Sequence, residues 1–409
     1  MEDTIAIRTI RDLAREVRDI AAEPIQDERR SLWRRHNSLK KTRPPVICRP
    51  VSAWRELITE ADLASTDPLH RQVEWVLRQQ VTISSFGDDW VIEPCYHLPA
   101  VHAEPAWNVR WGLEVRLKPS SRVGGAWQFD PPMKEPEDIG KLVMPHHRID
   151  EAATAQQAER VRDLIGDMLP VVVDRGPTLG AGLANTAAYL RGLGQLMWDL
   201  VERPQWVHEL MRFLMEGVRT CLDEAEAAGD LRRINTSNQA QPYCEELPDP
   251  AADETPVARR NLWVFTEAQE FEKVSPAMHE EFLLRYQLPL IEPYALSAYG
   301  CCEDLTRKLD MLRKIPNLRR ASVTPWTDLR TAVEKMGEGY VLSWRPNPTD
   351  MLCSFDPERV RRILREAMAI AGECCIEVYL KDIETVEGHP EHLREWTRVV
   401  REVVDEYGA

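Results

Sequence analysis

ALSAYGCCEDLTRKLDMLRKIPNLRRASV, residues 295–323, decides the fold. A short apolar run (295–299) is followed by a helical pattern (304–314) and a second apolar run (318–323). The alternation continues downstream with helix 327–336, strand 340–344, helix 356–372, strand 375–380 and helix 389–406. Upstream, helix 153–167 leads into the apolar run 169–173, which ends in Asp174. A helical stretch over 186–202, a helix over 205–228 opened by Pro204, the run 262–265 and helix 276–292 complete the series. Short strands alternating with amphipathic helices are parallel βαβ units. This many in series favours closure into one (β/α)8 TIM barrel, an α/β fold. The competitor, a doubly wound open sheet, is weakened because no Gly-x-Gly-x-x-Gly follows any predicted strand.

The flanking sequence fits around that frame as one domain, 1–409. Residues 1–45 form an N-terminal helical extension, with an amphipathic helix over 4–22 and a basic one over 26–40, read as a lid or outer layer. The basic cluster Arg29, Arg30, Arg34, Arg35, Lys40, Lys41 and Arg43 reads as a solvated helix face. Residues 86–150 are irregular and proline-rich, carry Trp90, Trp107, Trp111 and Trp127, and include the extended stretches 91–95 and 113–117. This is an insertion at the barrel mouth, and long structured loops are usually functional. Its tryptophans either wall an apolar substrate pocket or pack an extra layer.

Of 409 residues, 43% are hydrophobic and 29% charged, and the net charge is −15. An acidic chain is a poor partner for phosphate backbones, so nucleic acid is not expected. The nine cysteines are scattered and odd in number, and no disulfide framework is visible. Charged residues interrupt every candidate signal segment, and no run of about 18 apolar residues occurs. The expectation is a cytoplasmic protein with no membrane contact.

In a barrel, side chains at the carboxyl ends of strands converge on one mouth. Arg175, Gln269, Glu270, Tyr299, Cys301, Cys302, Glu303, Thr324, Trp326, Trp344, Arg345, Asn347, Lys381 and Asp382 follow predicted strands. Cys301 and Cys302, beside Glu303 and across from Glu270, have the donor chemistry for zinc. The other reading makes both cysteines small buried apolar residues. Cys374 and Cys375 open the last strand and belong at the barrel bottom, where residues serve stability. Asp382, at its top, is the better ligand or acid. Asp88 and Asp89 follow the apolar run 81–83 and are candidates for acid/base work, a plain Gly-Asp-Asp turn being the alternative. His146 and His147, in a proline-containing connector, and His279, on a helix face, read as solvent-exposed.

The stretches Leu296-Ser-Ala-Tyr-Gly-Cys-Cys-Glu-Asp-Leu305, Leu318-Arg-Arg-Ala-Ser-Val-Thr-Pro-Trp326, Val341-Leu-Ser-Trp-Arg-Pro-Asn-Pro348 and Glu377-Val-Tyr-Leu-Lys-Asp-Ile-Glu-Thr385 resemble the uroporphyrinogen decarboxylase-like superfamily. Gln269-Glu270, His389-Pro390 and Trp396 fit as well. The resemblance covers about residues 260–409 and implies a (β/α)8 barrel with one of two activities. One is porphyrinogen decarboxylation, whose Arg-rich N-terminal segment and Gln-Ala-Gly-Arg core are missing here. The other is methyl transfer between a substrate and a separate corrinoid protein, usually with zinc. In thiol-acceptor methyltransferases a His-x-Cys follows the corresponding strand and a further Cys ends the last. Here Tyr299 stands in the His position, Cys301 matches the first Cys, and Lys381-Asp382 replaces the terminal Cys.

The resemblance therefore implies a methyltransferase acting on a small methoxylated or methylated donor. Glu270, Cys301 and Cys302 would hold zinc, and Asp88, Asp89 and Asp382 would supply the acid. Trp90, Trp326, Trp344, Arg345, Asn347 and Tyr299 would bind substrate. No Asp-x-His-x-x-Gly signature occurs, so the corrinoid (cobalamin) must arrive on a partner protein. A homodimer is an open option. The alternatives are a metal-free lyase using carboxylates and Arg345, and a non-catalytic ligand-binding barrel.

Overall fold

The computed structural model describes residues 2–121, 128–233 and 239–407. Ten strands occur among them: β1 (Val46–Pro50), β2 (Tyr96–Pro99), β3 (Arg116–Lys118), β4 (Gln128–Asp130), β5 (Val171–Asp174), β6 (Trp263–Thr266), β7 (Leu296–Tyr299), β8 (Leu318–Val323), β9 (Val341–Trp344) and β10 (Cys375–Ile383). Six form a curled parallel sheet in the order β1-β10-β9-β8-β7-β6. β2 and β5 form a separate parallel pair, and β3 and β4 a short antiparallel hairpin.

The closed eight-stranded barrel expected from the sequence is thus not what the described residues form: no ladder joins β1 to β2 or β5 to β6. The first gap has a local cause. In a parallel strand alternate residues bond to opposite neighbours. Pro45 O accepts the amide of Val378 on the β10 side. On the other side, Val46 N donates to Asp89 Oδ2 (2.9 Å) and Cys48 N to Asp88 Oδ2 (3.0 Å), while Asp89 N donates to Val46 O (2.8 Å). Two side-chain carboxylates occupy the edge where a strand would pair.

Asp88 and Asp89, expected as acids at the mouth, are fully buried and satisfied here instead. Arg43 grips Asp89 with two hydrogen bonds (2.7 and 2.8 Å), Arg401 adds a third (2.6 Å), and Arg49 pairs with Asp88 (2.9 Å). Arg43 is therefore not part of a solvated basic face. The apolar run 81–83 before them ends the helix Pro68–Ser84 and is not a strand.

Around the sheet, strand residues such as Ala321, Val323, Leu342, Val378 and Leu380 pack outward against the helices. The C-terminal helix Glu391–Tyr407 shows why: Leu393, Trp396, Val399, Val400, Val403 and Val404 recur at three- and four-residue spacing and are all buried. Three expected helices are interrupted. Gly192, at φ 87°, separates Leu183–Arg191 from Leu193–Glu202. Pro289 removes a backbone donor from the 276–292 segment, which divides into Pro276–His279, a π-wound Glu280–Leu284 and Arg285–Ile291. Within 304–314 the α-helix is only Leu309–Leu312.

The N-terminal extension does more than cover the outside. Helix Glu2–Ala21 is an outer layer, but helix Pro24–Asn37 ends inside the curl of the sheet, near the starts of its strands. Asn37 Oδ1 accepts from Arg320 (2.6 Å), Arg320 pairs with Glu377 (2.9 Å), and His36 Nε2 lies 3.4 Å from the same carboxylate. All four side chains are buried. Asn37 also donates to Gln241 O and Tyr243 O. Residues 86–150 likewise contain more than an insertion, because β2 belongs to the parallel set. Of the histidines expected at the surface, His146 is exposed, but His147 and His279 are buried. Cys375 does begin β10, beside Val341. Among the described residues, no helix is long and apolar enough to cross a membrane.

Two stability experiments follow. Asp89→Ala should cost about 3–5 kcal/mol in chemical denaturation, because it strands Arg43 and Arg401, whereas an acid at the mouth would sacrifice activity and leave stability nearly intact. Burial pushes the Glu377 carboxyl up, but the Arg320 charge and the His36 hydrogen bond outweigh it and bring it down to about 2. A lowered carboxyl stabilises the fold above its unfolded value of about 4.3 and loses that contribution as the pH falls. Stability should therefore decline from about pH 4.3 toward 2, and Glu377→Gln should flatten that part of the curve.

Candidate functional site

Two hollows open where the parallel strands end. The first is built by the turn after β7, the segments after β8 and β9, and the last residues of β10. Gly300 sits at φ 101°, and a Cβ there would lie 2.6 Å from Leu305 Cδ1 and 2.9 Å from Ser322 Cβ, so only glycine makes this turn. The turn delivers Cys301 and Cys302 to the mouth. Glu303, fully buried, fixes them by accepting from Cys301 N (2.7 Å) and from Ala268 N (2.9 Å) of the loop after β6. Arg345 holds Cys301 O and donates to Gln239 Oε1 (2.7 Å).

The two sulfurs are 3.5 Å apart, and the Lys381 ammonium donates to both, at 3.2 and 3.3 Å. Asp382 Oδ2 lies 3.4 Å from the Cys302 sulfur. A hydrogen bond from Cys302, with the Lys381 charge added and burial opposing, holds Cys301 well below the ordinary thiol range, while Cys302 is pushed up. At neutral pH this is one thiolate beside one thiol. A cavity of about 230 Å³ lies over them, walled by Trp326, Arg345, Asn347, Lys381 and Asp382. Asn347 also caps the helix Pro348–Leu352 through Thr349 N (2.9 Å).

The second hollow, about 280 Å³, is aromatic and lies under the 86–150 segment. Trp107, Trp111, Tyr189, Asn185, Arg110 and Glu267 line it. Burial pushes the Glu267 carboxyl up to about 7, and the charges of Glu270, Glu303 and Cys301 add to the effect. Its Oε2 accepts from Gln269 N (2.9 Å). Glu270 follows in the same loop. One oxygen accepts from Asn185 (3.1 Å), the other is buried without a partner, and burial pushes this carboxyl up too.

Several expected site residues thus meet: Cys301, Cys302, Asp382, Trp326, Arg345 and Asn347 share one cavity. Others do not. Tyr299 pairs with Thr266 and points outward, where its hydroxyl bonds to Gln287 (3.0 Å) and His279 (2.8 Å) in the helical layer. Trp344 is packed in the main core. Trp90 lies on the Arg49 guanidinium, 3.7 Å from its ring centroid. Of the other tryptophans of the insertion, Trp107 and Trp111 wall the aromatic hollow, while Trp127 lies outside the described residues.

The zinc set expected from the resemblance does not fit this geometry. Glu270, Cys301 and Cys302 do not bring three donor atoms within 4.8 Å of one another. Lys381 already supplies the cation that the sulfurs face. Glu267 and Lys381 are the residues whose roles sequence reasoning missed. Lys381 stood among the strand-end residues, but nothing in a linear pattern shows that an ammonium bridges two thiols. Glu267 is distinguished only by its burial.

No protein-family model matches the chain, and no curated protein sequence matches it. In structure it is similar to a methyltransferase from Methanosarcina mazei, with a TM-score of 0.54 and 12% sequence identity over 93% of this chain and 99% of that one. At that identity the likeness speaks for the fold.

The thiolate is directly testable. Burial or neighbouring charge raises the other eight cysteines, so iodoacetamide should label Cys301 selectively, as mass spectrometry would show. The rate should rise at a pH well below the ordinary thiol value and then level off. Lys381→Met should move that rise upward; an unmodified profile centred near the ordinary thiol value of about 8.5 would overturn the assignment.

Proposed function

We propose that the chain is a methyltransferase on an interrupted (β/α)8 barrel, taking a methyl group from a small methoxylated or methylated compound. The observation that carries this reading is Glu267, a carboxyl group still half protonated near neutrality, in the wall of an aromatic cavity. A methyl ether resists cleavage because its alkoxide or phenoxide leaves poorly. An acid whose pKa lies near the working pH is suited to protonating that oxygen. The Glu267 proton goes to the leaving oxygen as the carbon–oxygen bond breaks, and the carboxylate regains a proton from solvent. Trp107, Trp111 and Tyr189 hold the ring or alkyl portion of the donor.

The acceptor in this proposal is the corrinoid of a separate protein, which supplies the nucleophile when docked at the mouth. The exposed Trp326 ring, 66% accessible, is the apolar rim such a partner would meet. Cys301 acts as a positioning residue, its negative charge helping to keep Glu267 protonated. The likeness to the Methanosarcina mazei methyltransferase supports the assignment. A decarboxylase acting on a polyanion is disfavoured, because the Glu267 carboxyl lines the aromatic space it would occupy.

The test is methyl transfer from a panel of methoxyaromatics and methylamines to added reduced corrinoid. With methoxy donors, Glu267→Gln should lower kcat by about 10²–10⁴-fold. A quaternary ammonium donor, which needs no protonation, should lose far less. The kcat should fall as pH rises through about 7, since the acid form is the active one. Cys301→Ser should shift that fall to lower pH. No transfer from any donor would overturn the proposal.

A further inference from the structure

Away from the thiols, two side-chain groups among the described residues place three potential metal ligands within 4.8 Å of one another: His102, Glu104 and His147, and the surface group His389, Glu391 and His392. The first is built into the fold. His102 forms an antiparallel bridge with Ile149, which draws His147 back beside the start of the excursion that follows β2. His102 Nδ1 lies 3.4 Å and His147 Nδ1 3.7 Å from the same oxygen, Glu104 Oε1. Both nitrogens are buried and neither makes a hydrogen bond. The side chains of Glu104 and His147 are 3% and 2% exposed, and that of His102 is 17% exposed.

The surroundings fix each donor. Asp230 Oδ2 lies 2.9 Å from His147 Nε2 and accepts from it in the tautomer protonated there, which leaves the Nδ1 lone pair on the side of Glu104. Asp230 is itself held by Arg175 (2.5 Å). Glu104 Oε2 accepts from Thr178 Oγ1 (2.9 Å) and faces Arg110 at 3.3 Å. A carboxylate on the far nitrogen of an imidazole is the usual outer support of a metal-bound histidine. Tetrahedral zinc with ligands at 2.0–2.1 Å spaces those ligands roughly 3.4 Å apart. The two gaps to Glu104 lie within a few tenths of an ångström of that spacing, the two histidines lie within 4.8 Å of each other, and an ion would satisfy two otherwise orphaned nitrogens.

We propose that His102, Glu104 and His147 bind one divalent transition ion, zinc in preference, with Asp230 orienting His147. Two imidazoles and one carboxylate form a borderline set suited to zinc, cobalt or nickel rather than calcium or magnesium. The site fastens the two ends of the tryptophan-bearing excursion together. Thr178 and Arg110, which support Glu104, also line the aromatic hollow, so the ion stands one hydrogen bond behind its wall. The proposal rests on this cluster and is independent of the methyltransferase reading.

The experiment titrates the full chain, stripped with a chelator, with cobalt(II) by visible absorption and with zinc by calorimetry. One ion should bind per chain, with ligand-field bands and no thiolate charge transfer. His102→Gln and Glu104→Gln should abolish the signal, and Asp230→Asn should weaken affinity about 10–100-fold. Cys301→Ser and His389→Ala should leave binding intact. In the unmutated chain, zinc should protect His102 and His147 from diethylpyrocarbonate, which reads the site even where a variant fails to fold. No binding, thiolate bands lost in Cys301→Ser, or loss only in His389→Ala would each overturn the assignment.

Discussion

Two buried carboxylates standing in for a β-strand set the shape of this molecule. A strand edge left bare inside a protein carries donors that must be paired. Asp88 and Asp89 pair those of β1 while using only a short loop. Taking such charges out of water costs more than their hydrogen bonds return unless cations accompany them. The cations come from opposite ends of the chain, Arg43 ahead of β1, Arg49 within it and Arg401 on the last helix. The arrangement ends the ladder at β1 and leaves β2 to pair with β5 alone. It also makes the first and last parts of the chain mutually dependent.

At the other end of the strands, one electrostatic contrast organises the site. On the β10 side, Lys381 favours negative charge and Cys301 ionises. On the β6 side, carboxylates crowd a poorly solvated space and Glu267 keeps its proton. Neighbouring groups whose affinities for protons are driven apart divide acid from anion roles in a single pocket. Neither residue would titrate this way alone.

Much of the frame could be read from the chain because parallel strands buried on both faces leave continuous apolar runs. β6 through β10 fell where those runs lie. What a run does not reveal is phase. Tyr299 ends its strand like any mouth residue, yet alternation along β7 points it to the helices. Asp88 and Asp89 look like a turn or a catalytic pair, and only the free edge of β1 decides. Trp344 and His279 failed for the same reason, since burial is a property of what packs against them. The Cys301–Cys302–Asp382 grouping was legible because strand ends converge whatever their sequence. Glu267 was not, because its character comes from residues in three other segments.

The helix Pro24–Asn37 carries a consequence for how the chain acquires its form. Its last residues are made early, but they rest on Arg320, 283 positions later in the sequence, and on Glu377 beyond it. A ribosome releases that helix long before its seat exists. Closing so long a loop is slow and defers reward until the final strands arrive. The carboxyl end of that helix must therefore wait for Arg320 and Glu377 to be made before its buried polar partners exist.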